Sequence, residues 1–205
     1  MLSRFLVALL LISALPARAV ELDDRDRADI ARVEQYLSGI GTMVSRFEQE
    51  DQSYGVSKGT IYLQRPGRLR FEYDPPVPYL IIASGSWLLH YDKELKAATY
   101  VGQDQTPAWF LLTPKVSLSG DVTVTRVERG EGVLRLNVVK TASPRDGTVT
   151  IELSTTPLQI RGWTIVDAQG AVTKVTLLDP KFGESIPPET FAFDDPSMKP
   201  DRMNP

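Results

Sequence analysis

The 205 residues contain no cysteine and a single histidine, His90. Without cysteine there is no disulfide and no thiolate nucleophile, so packing and hydrogen bonds must hold an exported fold together. The lipid-modified N-terminal cysteine of a bacterial lipoprotein is excluded as well. One histidine and no cysteine leave too few ligands for a zinc site. Gly-rich phosphate loops are absent, and nothing in the sequence around His90 supplies a catalytic triad. Glu48 and Glu50, alternating about Gln49, read as surface charge rather than as a paired acid and base. The sequence therefore points away from an enzyme and implies no cofactor. Positive charge is also scarce: 23 basic residues stand against 26 acidic ones, for a net charge of -3, which argues against nucleic-acid binding. Beyond the first twenty residues no apolar run is long enough to cross a bilayer.

What is present begins with a leader. Arg4 precedes the unbroken apolar run from Phe5 to Leu11, and Pro16 is followed by Ala17-Arg18-Ala19. A basic start, a short apolar stretch and small residues at the cleavage positions describe a secretory signal peptide over 1–19. The stretch is too short for a membrane anchor. Loss of Arg4 and Arg18 with the leader lowers the 23 basic residues to 21, so the mature chain carries a net charge near -5. Residues 20–205 suit one domain, with 42% hydrophobic and 24% charged residues supporting an ordinary globular core.

The spacing predicts one helix from about Asp23 to Ser45, with Ile30, Val33, Leu37 and Ile40 forming an apolar stripe. Strands follow at Gly59 to Gln64, Leu69 to Tyr73, Tyr79 to Ala83 and Trp87 to Asp92. The first two are joined through the Pro66-Gly67 turn. The second half predicts strands at Val122 to Glu128, Val133 to Lys140, Thr148 to Ser154, Gln159 to Asp167, Ala171 to Leu178 and Thr190 to Asp194. Between the two sets, Pro107 and Pro114 bracket Trp109-Phe110-Leu111-Leu112, which suits one short helix against the sheet. So many antiparallel strands with short turns imply a large curved sheet or barrel.

The order of motifs resembles the LolA family of outer-membrane lipoprotein carriers. The resemblance rests on Met43-Val44-Ser45-Arg46-Phe47-Glu48-Gln49 and on Gly59-Thr60-Ile61-Tyr62-Leu63-Gln64-Arg65-Pro66-Gly67-Arg68-Leu69-Arg70-Phe71-Glu72-Tyr73. Pro75-Pro76, Ser84-Gly85 leading to Tyr91-Asp92, Thr106-Pro107 and Ile186-Pro187-Pro188-Glu189-Thr190-Phe191-Ala192-Phe193 follow in the same order. Ser84-Gly85 replaces the family's Asp-Gly turn, Leu89 stands at its tryptophan position, and the tail lacks the family's apolar ending. The resemblance implies an incomplete antiparallel β-barrel, or half-barrel, with an N-terminal helix and a short helical lid over the concave face. It implies a periplasmic chaperone that takes acylated lipoproteins from an inner-membrane ABC lipoprotein-release complex to an outer-membrane acceptor. Two other readings fit such a scaffold: a periplasmic carrier of free fatty acids or other lipids, and an envelope-stress sensor. No heptad pattern demands a dimer, so a monomer is expected.

Arg65 is the sharpest single residue. If it shares a strand face with Ile61 and Leu63, its guanidinium points toward an apolar interior, where it could bond lid carbonyls and act as a latch. The resemblance places a functional arginine at this position. The expected lid underside is Trp109, Phe110, Leu111 and Leu112. The expected acyl-chain walls are Tyr62, Phe71, Tyr73, Trp87, Leu89 and Tyr91. His90 falls on the opposite strand face from Leu89 and Tyr91.

Overall fold

The computed structural model describes residues 22–52, 55–106 and 109–194, with Leu111 described through its backbone alone. The leader at 1–19, the Pro107-Ala108 start of the expected short helix, and the tail after Asp194 lie outside the described residues.

Helix α1 spans Asp24–Ser38. Asp23 caps it: the Asp26 N–H donates to Asp23 Oδ1 at 2.7 Å, and the Asp23 N–H donates back to Asp26 Oδ2 at 3.2 Å. This reciprocal pair satisfies donors that the first helical turn leaves open. The helix is shorter than the stripe suggests. It closes at Gly39, and Ile40 and Met43, which extend the apolar rhythm, belong to the turn and to the first strand.

Eleven strands follow: β1 Thr42–Asp51, β2 Gly55–Gln64, β3 Arg68–Tyr73, β4 Tyr79–Ser84, β5 Trp87–Asp92, β6 Ala97–Gly102, β7 Val122–Gly130, β8 Val133–Lys140, β9 Gly147–Thr155, β10 Leu158–Asp167 and β11 Val172–Phe182. They form one antiparallel sheet in the order β6-β5-β4-β3-β2-β1-β11-β10-β9-β8-β7. Two meanders, β1 to β6 and β7 to β11, meet along the β1–β11 seam at the centre. Among the described residues the edges β6 and β7 do not pair, so the barrel stays open.

The sheet curls strongly. Phe71 on β3 and Trp163 on β10, four places apart in the strand order, meet edge to face with ring centroids 6.2 Å apart. Irregularities at Val44/Arg46, Ile160/Gly162 and Val124/Arg126 add the local bending that bulges supply. The concave side carries the main core, in which Phe47, Ile61, Leu63, Leu69, Leu136 and Ile151 are fully buried.

Because β6 and β7 lie at opposite edges, their connection, residues 103–121, must cross the open side. Phe110, Leu112, Val116 and Leu118 from this strap are buried in the same core as the strands. The expected single helix is instead two 3-10 turns, Gln103–Gln105 and Trp109–Leu111. Pro107 and Pro114 bracket six residues, too few for two α-helical turns.

Where alternation suggests a strand at Thr190 to Asp194, the structure has a 3-10 turn, Pro188–Phe191, lying on the convex side of β3 and β4. Both prolines at its start lack an N–H for a strand ladder. Strand β6 has no counterpart among the expected elements. Its Ala97-Ala98-Thr99-Tyr100 sequence has no apolar alternation to announce it. No described helix is long and apolar enough to cross a membrane.

Candidate functional site

Strand pairing decides which side chains face inward. Residues directly opposite one another share a face, so Phe71 places Ile81 and then His90 on the concave side. Ala83 and Leu88 lie there too, by the Gly85-Ser86 turn that pairs Ser84 with Trp87. Gly85 takes φ +69°, the left-handed conformation that such a turn favours in glycine.

This parity divides the expected walls. Phe71 and Tyr73 line an open cavity of about 570 Å³ within the curl of the sheet. Tyr62, Trp87, Leu89 and Tyr91 stand on the convex face. Trp87 is 58% exposed. Leu89 is buried, but on the outside, and Tyr91 packs on Phe193 of the C-terminal segment at 4.9 Å between ring centroids. The other half of the cavity wall comes from residues that sequence reasoning passed over: Tyr79, Ile81, Leu88, His90, Trp163 and Val175. His90 lies tilted against Tyr79, ring centroids 4.7 Å apart. The short turn at Gly85-Ser86, with β3–β4 pairing, is the signal for Tyr79, Ile81, Leu88 and His90, but not for Trp163 and Val175 on β10 and β11.

The cavity volume falls within the ~300–1,000 Å³ typical of small-molecule sites. The wall formed by Phe71 and Tyr73 is backed by a buried aromatic ring. Phe47 meets Phe71 at 5.1 Å and Tyr73 at 5.2 Å, both edge to face. A smaller recess of about 90 Å³ lies under the strap, lined by Trp109 and Phe110 and sharing Thr106 and Ile165 with the main cavity. Leu112 is buried in the core. The side chain of Leu111 lies outside the described residues.

Burial raises the Tyr73 phenol to about 12, with the Gln49 hydrogen bond working against it and the Asp51 charge adding to the rise. In the unfolded chain the phenol would ionise near 10. The fold therefore holds the neutral form, a contribution complete below pH 10 and lost as pH rises through about 12. Alkaline unfolding curves of wild type and Tyr73→Phe are expected to converge across that window. Parallel curves would mean that Tyr73 is not held neutral by burial.

Arg65 lies at the opposite end of β2 from the cavity mouth. Its Nη1 donates to Leu37 O and, at 3.1 Å, to Ile40 O, both at the C-terminal end of α1. Its backbone N–H donates to Gly41 O at 2.8 Å. The guanidinium thus meets the negative end of a helix whose last turn has no basic residue of its own. Burial lowers its pKa to about 10, which still leaves it charged at neutral pH.

Further bonds tie the helix and strap to the sheet. The Gly67 N–H donates to Leu112 O at 2.9 Å, and Gln103 Nε2 donates to Gly67 O at 3.0 Å. Ser38 Oγ donates to Val116 O at 3.1 Å, and the Leu118 N–H donates to Glu34 Oε2 at 2.9 Å. At the far end of α1, Arg129 of β7 bridges Asp26 at 2.8 Å and Asp29 at 2.7 Å. Helix and strap form one cover, fastened to both halves of the sheet.

The family described as outer membrane lipoprotein carrier protein LolA matches residues 38–194. An outer-membrane lipoprotein carrier protein of Legionella pneumophila (strain Lens) is 28% identical over 200 residues, 94% of each chain. Another, from Pseudomonas aeruginosa (strain UCBPP-PA14), is 27% identical over 203 residues, 93% of this chain and 95% of its own. The crystal structure of a LolA superfamily protein from Nitrosomonas europaea overlays 80% of this chain and 97% of its own at 10% identity, with a TM-score of 0.47.

Proposed function

Because the chain belongs to the LolA family of outer membrane lipoprotein carrier proteins, we propose that it carries lipoproteins through the periplasm with their acyl chains held in the concave cavity. The observation that supports this reading most directly is the cavity itself: about 570 Å³, open to solvent and walled by Phe71, Leu88 and Trp163. Transfer needs no bond-making by the protein, so the carrier acts without catalysis. The leader read at residues 1–19 directs export. An inner-membrane ABC release complex supplies the cargo, and an outer-membrane acceptor takes it.

Energetics set a limit on how such a carrier can work. Three chains of about fifteen methylenes, at roughly 0.8 kcal/mol for each methylene buried, would give about 36 kcal/mol. Non-covalent affinity saturates near 20 kcal/mol. Cargo held at full value would never leave. A cavity sized for one ordinary small ligand cannot enclose three chains, so more apolar space has to open beneath α1 and the strap. Displacing that cover offsets part of the gain.

The absence of native cysteine provides a clean test. His90→Cys reports from inside the cavity, and Trp87→Cys from the convex face of the same strand. Bound triacylated lipoprotein is expected to slow maleimide labelling at position 90 at least tenfold and to leave position 87 unchanged. Equal rates at both positions, with and without cargo, would place the acyl chains elsewhere.

A further inference from the structure

The cavity is apolar along its depth and polar at one end. Gln49 and Asp51 close β1, Ser57 lies near the start of β2, and Tyr73 ends β3; all four line the cavity. Pairing of Asp51 with Gly55 and with Thr173 brings these strand ends to one rim. Arg65 and the end of α1 lie eight residues further along β2 and its turn, about 26 Å away at ~3.3 Å per residue.

The polar groups form an ordered relay. Tyr73 Oη donates to Gln49 Oε1 at 2.8 Å, and Gln49 Nε2 donates to Asp51 Oδ2 at 2.9 Å. A neutral phenol can only give its hydrogen to the carbonyl side of the amide, which turns the amide nitrogen toward the carboxylate. The chemistry of these groups allows more bonds than the relay itself uses. A primary amide carries a second N–H, and a carboxylate accepts several hydrogen bonds.

We propose that Gln49 and Asp51, braced by Tyr73 and Ser57, form a head-group subsite for the acylated cysteine of the cargo. The proposal rests on the lipoprotein-carrier reading above. The second amide N–H of Gln49 meets an ester carbonyl of the diacylglyceryl group. The Asp51 carboxylate accepts an amide N–H from the acylated cysteine or from the residue after it. The chains then run inward past Phe71 toward Trp163. Such a mouth also discriminates. A phospholipid has similar acyl chains, but it places an anionic phosphate where the cysteinyl amide would sit. Asp51 repels that phosphate, and like charges juxtaposed in a partly desolvated site oppose binding. The subsite lets the carrier take a rare lipid-modified protein while surrounded by phospholipid.

The test is competition for the purified protein between two probes with matched acyl chains. One is an uncharged triacylated cysteinyl tetrapeptide, the other phosphatidylglycerol, and native mass spectrometry reads the bound fractions. Wild type is expected to prefer the lipopeptide. Asp51→Asn, close in shape and partly exposed, is expected to reduce that preference about tenfold, the value of one charge-assisted hydrogen bond. Gln49→Leu should reduce it similarly, and Trp87→Ala, on the convex face, should leave it unchanged. Preference within twofold of wild type in a folded Asp51→Asn variant overturns the subsite and leaves the carrier standing. Equal binding of both probes by wild type has the same meaning. Binding of neither probe overturns the carrier reading along with the subsite.

Discussion

Arg65→Leu is expected to bind acylated lipoprotein about tenfold more tightly than wild type and to stall its transfer to an acceptor. The guanidinium donates to Leu37 O and Ile40 O and holds the C-terminal end of α1 against the β2–β3 turn. Cargo that needs room beneath α1 must break those bonds. A net contribution of about 1.5 kcal/mol for hydrogen bonds to a charged group, after the cost of burying that charge, corresponds to roughly a tenfold change in affinity. On the latch proposal this energy opposes loading in wild type and is recovered on release, which favours the hand-over. Leucine fills similar apolar space and removes the restoring force, so the gain appears as slower dissociation. Co-purified lipoprotein should accumulate on the variant, and transfer to acceptor-bearing vesicles should fall. Normal transfer by a folded Arg65→Leu protein would refute the latch.

Gly59→Ala should be among the most damaging single changes in the sheet, costing about 3 kcal/mol or more. A Cβ at Gly59 would lie 2.2 Å from Glu72 O and 2.7 Å from two ring atoms of Phe47. The first contact is backbone, which cannot swing aside, and the second is a fully buried ring packed on Phe71 and Tyr73. Gly130 is the control: a Cβ there would meet nothing within 4 Å, and Gly130→Ala should be nearly neutral. Thermal or denaturant unfolding of the two variants separates them. Similar midpoints would mean that Phe47 does not lie across the Gly59 backbone.

Much of the architecture could be read from the residues. Trp87–Asp92 and Val133–Lys140 have the predicted bounds, and the Pro66-Gly67 turn joins β2 to β3 as read from its residues. Arg65, which continues the parity of Ile61 and Leu63, donates to the carbonyls at the end of α1. What failed was the choice of face on β5. Alternation identifies the buried face only when the other face is wet, and here both Leu88 and Leu89 are buried. The convex side of β3 to β5 has its own apolar cover, in which Ile186 and Phe191 are buried and Arg70 Nη1 donates to Thr190 O at 3.2 Å. That cover comes from a segment about a hundred residues away, beyond the reach of local periodicity. The polar mouth was obscure for a related reason. Gln49 and Asp51 look like ordinary surface positions until β11 is laid beside β1.

The position of the seam governs when the binding surface can exist. A chain emerging N-terminus first delivers β1 to β6 early, yet the wall that faces Phe71 belongs to β10 and β11. Thr42–Asp51 must wait for Val172–Phe182 before the concave side closes in. Long-range pairing of this kind is slow to form, because the ends of a long loop must meet before any contact rewards them. A chain that has delivered only β1 to β6 thus lacks the wall that faces Phe71. The hollow is complete only once β10 and β11 have followed, so a carrier of this topology gains its binding surface last.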